Sequence, residues 1–268
     1  MRRLLFFYFI LFFLSFSSFA QEIPLDARLD QNALEFADEL FNLQATSPNQ
    51  IIQPFTRRTL ANVFDDSILL QLNRRQKNEL LFYQLEFKKD LDPSQRPILN
   101  RSLRTLFSGL KRYKQPDLLY FHKDEVTLTI NPIYGITTFY NKNGENGQRR
   151  MGAELRAQIG RIGIYGSLRE VYEVDPLSKD SLATPKEGSI YKYAANGSGA
   201  YSETRGGITF GWKTGYVGIV RDYVKWGYGY YGTNIFDINT VPFAQIKLHI
   251  KPNDWFQFDY FHGALQSG

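Results

Sequence analysis

The chain has 268 residues, no cysteine and a formal net charge of +5 at pH 7. The lack of cysteine excludes disulfides and thiolate metal sites. A mean hydropathy of −0.35, with no second long apolar run, excludes a protein built from membrane-spanning helices. Because the basic residues are spread along the chain, the charge is weak evidence for an acidic partner.

The N-terminus predicts export. Two arginines precede an apolar run from Leu4 to Phe16, and small residues ending in Ala20 follow it. A charged start, a short apolar core and a small-residue cleavage site are typical of a secretory signal peptide. We therefore expect residues 1–20 to be removed, so that the mature chain begins at Gln21.

Residues 21–116 are predicted to form a helical region. Apolar side chains recur at helical spacing between Leu34 and Phe41, which indicates a first helix. Thr56 is placed to cap a second helix that runs to about Asp66.

A third helix is predicted to begin after Asn73, which can serve as its N-cap. Its apolar stripe is expected to consist of Leu80, Leu81, Tyr83 and Leu85. Its solvated polar face is expected to carry Arg74, Arg75 and Lys77. A shorter helical piece is predicted from Ser102 to Arg112.

The pattern changes near Pro116, and from Glu125 onward apolar residues fall on every second position. This period predicts β-strands with one apolar and one polar face. We count about seven strands, four of which lie between Tyr201 and His262.

Turn-forming residues mark the expected reversals. Asn143-Gly144 and Asn146-Gly147 lie between the first two long strands. Gly160-Arg161 predicts a tight reversal into the next strand. Serine, glycine, proline, aspartate and lysine dominate from Glu173 to about Ser202, which predicts a long loop.

The two faces of these strands suit a wall between lipid and water. We expect the apolar face to point toward lipid and to include Leu155, Ala157, Ile164 and Ile246. The opposite face is expected to point inward and to include Glu154, Arg156 and Lys247. Aromatic residues make up 16% of the chain, and outer-membrane barrels carry such residues at both interfaces. Soluble antiparallel sheets also alternate, so a small soluble sheet domain is the alternative.

The predicted fold is mainly β with an N-terminal α-helical region. The sheet is expected to form part of an antiparallel transmembrane β-barrel of the outer-membrane type. The predicted divisions are a signal peptide at 1–20, a helical region at 21–116 and the first part of the barrel at 117–268. An odd count of seven strands does not fit the even-numbered bacterial pattern, so we expect the sequence to be the N-terminal part of a longer protein.

One segment carries a family resemblance. A strand ends in Arg221-Asp222, a loop with Trp226-Gly227-Tyr228-Gly229 follows, and Pro242-Phe243 precedes the next strand. This combination resembles the outer-membrane capsule assembly family named Wzi. Three further segments look like Bacteroidetes-type members of that family: Gln53 to Arg58, Asn131 to Gly135 and Gly152 to Arg156.

The resemblance covers nearly all of the mature chain but about half of a family member. It also has a departure, because Ile235-Phe236-Asp237 stands where the family usually has a serine. The resemblance implies a barrel of roughly eighteen strands with an N-terminal helical bundle. It further implies an outer-membrane lectin that ties capsular polysaccharide to the cell surface and that is not an enzyme.

The loop offers groups that suit a sugar. Aromatic rings can stack on a pyranose, and planar polar groups can reach its hydroxyls or a uronate carboxylate. The candidate glycan-binding residues are Arg221, Asp222, Trp226, Tyr228, Tyr230 and Asn234. The alternative is that the aromatic residues belong to an interfacial girdle and that Arg221 and Asp222 neutralise each other inside the lumen.

We predict no catalytic site, metal or cofactor, because the three histidines are widely separated and no Gly-x-Ser-x-Gly motif occurs. The expected partners are capsular or surface polysaccharide, outer-membrane lipid and lipopolysaccharide, and not nucleic acid. The expected location is the outer membrane of a Gram-negative bacterium. The alternative function is a porin or sugar channel with the same architecture.

Overall fold

The computed structural model is mainly β, with one large antiparallel sheet and helices near the N-terminus. It describes residues 22–27, 29–44, 52–66, 72–91, 117–141, 144–174, 192–193, 199–227, 236, 242–253 and 255–264. The predicted signal peptide at 1–20 and the predicted helix at 102–112 lie outside these residues.

Within the described part of the chain, the helical region contains α1 (Gln31–Gln44), α2 (Arg57–Asp66) and α3 (Arg74–Leu91). Both predicted N-caps are confirmed. Thr56 Oγ1 accepts a hydrogen bond from Thr59 N at 3.3 Å. Asn73 and Gln76 cap α3 reciprocally, because each side-chain oxygen accepts from the other residue's backbone N–H, at 3.0 and 2.9 Å.

The helices pack around an apolar core of their own. Phe36, Phe64 and Tyr83 stack with ring centroids 5.2 to 6.0 Å apart. The predicted stripe of α3 was wrong in part, because Leu81 and Leu85 are exposed. The buried stripe runs through Gln76, Leu80, Tyr83 and Phe87, which follows the 3.6-residue period more closely.

The strands of the described residues are β1 (Ile52–Gln53), β2 (Leu119–Lys123), β3 (Val126–Asn141), β4 (Gly144–Ile159), β5 (Ile162–Val174), β6 (Lys192–Tyr193), β7 (Gly199–Trp212), β8 (Gly215–Asp222), β9 (Lys225–Trp226), β10 (Phe243–Asn253) and β11 (Phe256–Gly263). The main sheet has the strand order β11-β10-β8-β7-β5-β4-β3-β2, with β6 paired to β7. A second, two-stranded sheet joins β1 to β9.

The path of the main sheet contains eight strands where the sequence predicted about seven. The strand not foreseen is β2, whose five residues are too few to show a clear period. Neighbouring strands on this path are antiparallel throughout. Among the described residues β2 and β11 form the two edges, so the sheet is not closed.

The predicted reversals at Asn143-Gly144 and Gly160-Arg161 are confirmed. Asn141 pairs with Gly144 at the junction of β3 and β4. β4 and β5 meet directly as Ile159 pairs with Ile162, and Gly160 has a φ of 56°, a value that glycine adopts without strain. The Asn146-Gly147 dipeptide lies inside β4, not at a reversal. The predicted loop from Glu173 to about Ser202 contains β6, which pairs with the start of β7, and its residues 175–191 and 194–198 lie outside the described residues.

Candidate functional site

The exposed face of the main sheet is apolar. The predicted alternation is confirmed for Leu155 and Ile246, which are exposed, and for Lys247, which is buried. The other predicted residues of the two faces, Ala157, Ile164, Glu154 and Arg156, are all half-buried. The exposed apolar side chains on the inner six strands of this face include Leu155, Ile159, Ile162, Leu168, Ile208, Phe210, Val217, Ile219 and Ile246. Ile219 is 73% exposed, an unusual state for so large an apolar side chain.

Exposed aromatic side chains lie near both ends of this apolar face. Phe210, Trp255 and Phe256 lie at the end with short connections, where Trp255 is 83% exposed. Tyr134, Tyr140 and Tyr172 lie toward the end from which the longer connections after β5 and β8 leave.

The opposite face of the sheet is mainly polar and is buried, in part against the N-terminal region, although Tyr165, Val171, Tyr201, Tyr216 and Val220 are also buried on it. Its buried side chains include Thr129, Gln158, Ser167, Arg169, Glu203, Arg205, Thr209, Asp222, Gln245 and Lys247. This is the reverse of a soluble sheet, in which the apolar face is covered and the polar face is wet.

Arg205 is the centre of one buried charge cluster. Its Nε and Nη2 donate to the carboxylate of Asp222 at 3.0 and 2.7 Å. Its Nη2 also donates to the carbonyl of Leu25 at 2.7 Å, and its Nη1 lies 3.6 Å from Asp26 Oδ2. The hydroxyl of Tyr165 donates to Asp222 at 2.7 Å. The cluster therefore joins strands β5, β7 and β8 to the segment that precedes α1.

Arg57 is the centre of a second cluster, inside the helical region. Its Nε lies 3.1 Å from Asp90 Oδ2 and its Nη2 3.0 Å from Glu86 Oε1. Its guanidinium lies 4.3 Å from the centroid of the Phe87 ring, a cation–π contact. The four groups hold the first residue of α2 against the last turns of α3.

Asp117 links this helical cluster to the sheet. Its carboxylate binds the ammonium of Lys89 in α3, and it lies 3.4 Å from Arg156 Nη2 in β4. Asn131 Nδ2 donates to Asp117 at 3.0 Å and also to Glu154 at 3.0 Å. Burial opposes ionisation of Asp117, but Lys89, Arg156 and Asn131 outweigh it and lower its pKa to about 2.

Asp30 lies between the two clusters, and its pKa is shifted upward, in the direction opposite to that of Asp117. Burial raises its pKa to about 6, against the lowering effect of Arg57 and Arg156, although 24% of its side chain stays exposed. Its Oδ2 accepts a hydrogen bond from Asp26 N at 3.1 Å. A carboxyl with this pKa changes its charge within the mildly acidic range.

Three of the six predicted glycan-binding residues are described, and these three do not form one cluster. Asp222 is fully buried, and its carboxylate accepts from Arg205, Tyr165 and the backbone N–H of Tyr223. Arg221 lies on the opposite, exposed face, and its Nε donates to the carbonyl of Pro242 at 3.3 Å. The alternative expectation, an Arg221–Asp222 pair, is therefore wrong, because adjacent strand residues point to opposite faces.

Trp226 is half-exposed and lies in β9, which pairs with β1 of the N-terminal region. Its ring packs edge-on against Phe261 with centroids 5.7 Å apart. Gly227 follows with a φ of 100°, a value that glycine adopts without strain. Tyr228, Tyr230 and Asn234 lie outside the described residues.

The sequence did not reveal the residues that join the helical region to the sheet. The most important are Asp26, Asp117, Arg169 and Arg205. A signal for two of them was present, because Arg169 and Arg205 occupy polar positions of strands that are otherwise alternating. Their partners could not be inferred, since they come from distant parts of the chain.

Among the described residues, none of the helices is both long and apolar enough to cross a membrane. No family model, curated protein or solved structure matches the chain. The resemblance to the Wzi family stays a prediction.

Proposed function

We propose that the chain forms one side of an outer-membrane β-barrel that holds surface polysaccharide at the cell, with the N-terminal helical region inside the wall. The observation that carries this proposal is the reversed polarity of the main sheet. Lipid is the environment in which an exposed apolar face and a covered polar face are both stable. The aromatic side chains near the two ends of the apolar face support the same environment.

The height of the apolar face suits a bilayer. On β4 the outward positions from Met151 to Ile159 are all apolar, and the next outward residue is Arg149. At about 3.3 Å per residue and a strand tilt of about 40°, this stretch spans roughly 20–25 Å. The hydrophobic band of outer-membrane barrels is about 25 Å tall.

The helical region constrains the size of such a barrel. Its contacts are with the polar face of the sheet, which supports a position on the side that the wall would enclose. A closed barrel of eight strands has an interior that side chains alone fill. A closed wall around this helical region therefore needs more strands than the eight on the path of the sheet.

The polysaccharide part of the proposal is supported by the family resemblance of the Arg221-Asp222 segment and by the exposure of two candidate residues. Arg221 and Trp226 are both exposed near the end of the sheet from which the longer connections leave. In outer-membrane barrels the longer loops are extracellular. Arg221 lies on the exposed face, whereas Trp226 packs against Phe261, the cross-strand partner of the buried Lys247. The two side chains would therefore contact an acidic or neutral glycan from opposite sides of the sheet.

A general porin or sugar channel is the competing function, and the covered polar face argues against it. The residues that would line a pore are instead bonded to the helical region, as Arg205 is to Leu25 and Asp117 is to Lys89. A porin needs a water-filled interior.

Cell fractionation and planar-bilayer recordings test the proposal together. We expect the protein in the outer-membrane fraction, with heat-modifiable mobility in gels and no sustained current of porin size. Recovery of the protein as a soluble periplasmic monomer would contradict the membrane location. A steady porin-sized current would favour the channel.

A further inference from the structure

Two arginines and a serine of the sheet converge on the carboxylate of Asp26. Arg169 Nη2 and Arg205 Nη1 each lie 3.6 Å from Asp26 Oδ2. Ser167 Oγ donates to the same oxygen at 3.4 Å. All four residues are buried. Guanidinium groups combined with a hydroxyl are a typical way in which proteins hold a carboxylate.

The two arginines are held in place by carboxylates of the sheet itself. Arg169 Nε lies 2.9 Å from Glu203 Oε2, and Arg205 forms its two hydrogen bonds with Asp222. Each arginine therefore still directs one terminal nitrogen toward Asp26. Both guanidinium groups therefore have carboxylate partners in the sheet besides Asp26, and Arg205 also donates to the carbonyl of Leu25 in the N-terminal segment.

Asp26 belongs to a different part of the molecule. Its segment is fixed to the helical region, since Leu25 N donates to Phe55 O and Arg57 N donates to Ile23 O, both at 2.9 Å. The apolar cluster that joins this segment to the sheet is small and consists of Ile23, Tyr165 and Val220. Charged and polar contacts provide most of the remaining attachment that is described. Because Leu25 belongs to the helical core, the segment would leave the sheet together with that core, which exposes little further apolar surface of the sheet.

There is also free space beside the carboxylate. A cavity of about 10 Å³ is lined by residues of both regions, among them Asp26, Asp30, Arg57, Ser167 and Arg205. A cavity of this volume is at the lower limit for holding one water molecule. A shorter side chain at position 26 would enlarge it toward the size of a small carboxylate.

We propose that Arg169, Arg205 and Ser167 form a carboxylate-binding site that the chain's own Asp26 occupies, and that the uronate group of an acidic polysaccharide takes its place when the N-terminal segment lifts. The choice of a uronate rests on the proposed function. The carboxylate site itself rests only on the geometry.

The test is a carboxylate rescue of Asp26→Ala in the full-length, detergent-solubilised protein. Melting temperatures are measured in acetate and in chloride at equal ionic strength. At an acetate concentration ten times its dissociation constant, we expect the melting temperature of the variant to be about 3–5 °C higher than in chloride. The wild type should melt equally in both salts, because its site is filled.

The matched control is the double variant Asp26→Ala with Arg169→Lys, which keeps the charge but removes the fork. It should lose most of the acetate response. If Asp26→Ala does not fold in chloride but folds in acetate, the site is supported. If it folds in neither salt, or if acetate and chloride act alike, the site is refuted.

Glucuronate and glucose then test the sugar class. We expect glucuronate to stabilise Asp26→Ala and glucose to have no effect. Rescue by acetate without rescue by glucuronate would overturn the uronate assignment. These measurements are independent of cell location, so a failure of the proposed function in cells would leave the acetate result standing.

Discussion

Arg205 and Asp222, on the neighbouring strands β7 and β8, form a bidentate ion pair on the covered face of the main sheet, with distances of 3.0 and 2.7 Å. Asp222 is fully buried. A pair of this kind lies inside the polar side of the sheet, while the neighbouring residue Arg221 lies on the other side. The adjacent residues Arg221 and Asp222 therefore lie in different environments, one exposed and one buried, on the two faces of the sheet.

Breaking this pair should destabilise the protein strongly. Arg205→Met leaves the carboxylate of Asp222 buried without its main partner, and we expect a loss of about 3–5 kcal/mol in the free energy of unfolding. Arg221→Met is the matched control and should change stability by less than about 0.5 kcal/mol, because its side chain is exposed. Urea unfolding in detergent micelles measures both. Equal losses in the two variants would show that burial of the pair is not the cause.

Introducing a charged side chain tests whether the exposed apolar face of the sheet contacts lipid. If Ile219 faces lipid, Ile219→Arg should cost about 2–4 kcal/mol at the bilayer midplane. Leu81→Arg is a matched control, since Leu81 is also largely exposed but lies on a helix, and it should have an effect within about 0.5 kcal/mol. Unfolding in lipid vesicles and the yield of assembled protein are the measurements. A harmless Ile219→Arg would mean that this face meets water.

Asp30 should make the protein less stable as the pH rises from about 4 to 6. Its folded pKa of about 6 exceeds the ordinary 3.8, so the folded state holds the proton more tightly. The resulting stabilisation is complete below about pH 4 and is lost as the pH rises through 6, with an upper limit of about 3 kcal/mol. The lowered pKa of Asp117 changes the stability in the opposite direction with pH. Its contribution to the free energy of unfolding is lost only as the pH falls toward 2.

Asp30→Asn isolates this effect. Burial also raises the pKa values of Glu22 and Asp38, so some slope should remain in the variant. The difference between wild-type and variant unfolding free energies should change between pH 4 and 6 and be flat above pH 7. A difference that is constant over the whole range would rule out the raised pKa of Asp30.

The polysaccharide role can be tested by the double substitution Trp226→Ala with Arg221→Ala. Each contact with a sugar is worth about 1–3 kcal/mol, and many copies on one cell would mask a single loss through avidity. We therefore expect less cell-bound polysaccharide with a normal amount of assembled protein.

Trp255→Ala is the control for that experiment. Trp255 is the more exposed tryptophan but lies at the other end of the apolar face, so its removal should leave bound polysaccharide unchanged. If the double variant fails to insert, Trp226 and Arg221 serve the barrel and not the glycan.

Local structure was largely determined by the sequence. The caps at Thr56 and Asn73, the reversal at Gly160 and the alternating faces of β4 and β7 all follow from short-range rules, because they depend on neighbouring residues only. The same rules failed for the five-residue β2 and for the exposed Leu81 and Leu85. The residues around these positions do not show a pattern clear enough to distinguish strand from loop, or a buried from an exposed helix position.

Tertiary structure alone decided which face of the sheet is covered and by what. Alternation shows that two faces differ, but it does not say which one meets the helical region. The partners of Arg205 and Arg57 are likewise set by chain segments that are far apart in sequence and meet only after folding. A buried charge must be paired with an opposite charge or a hydrogen-bonding group. Because that partner can come from any part of the chain, the pairing leaves no periodic pattern in the sequence.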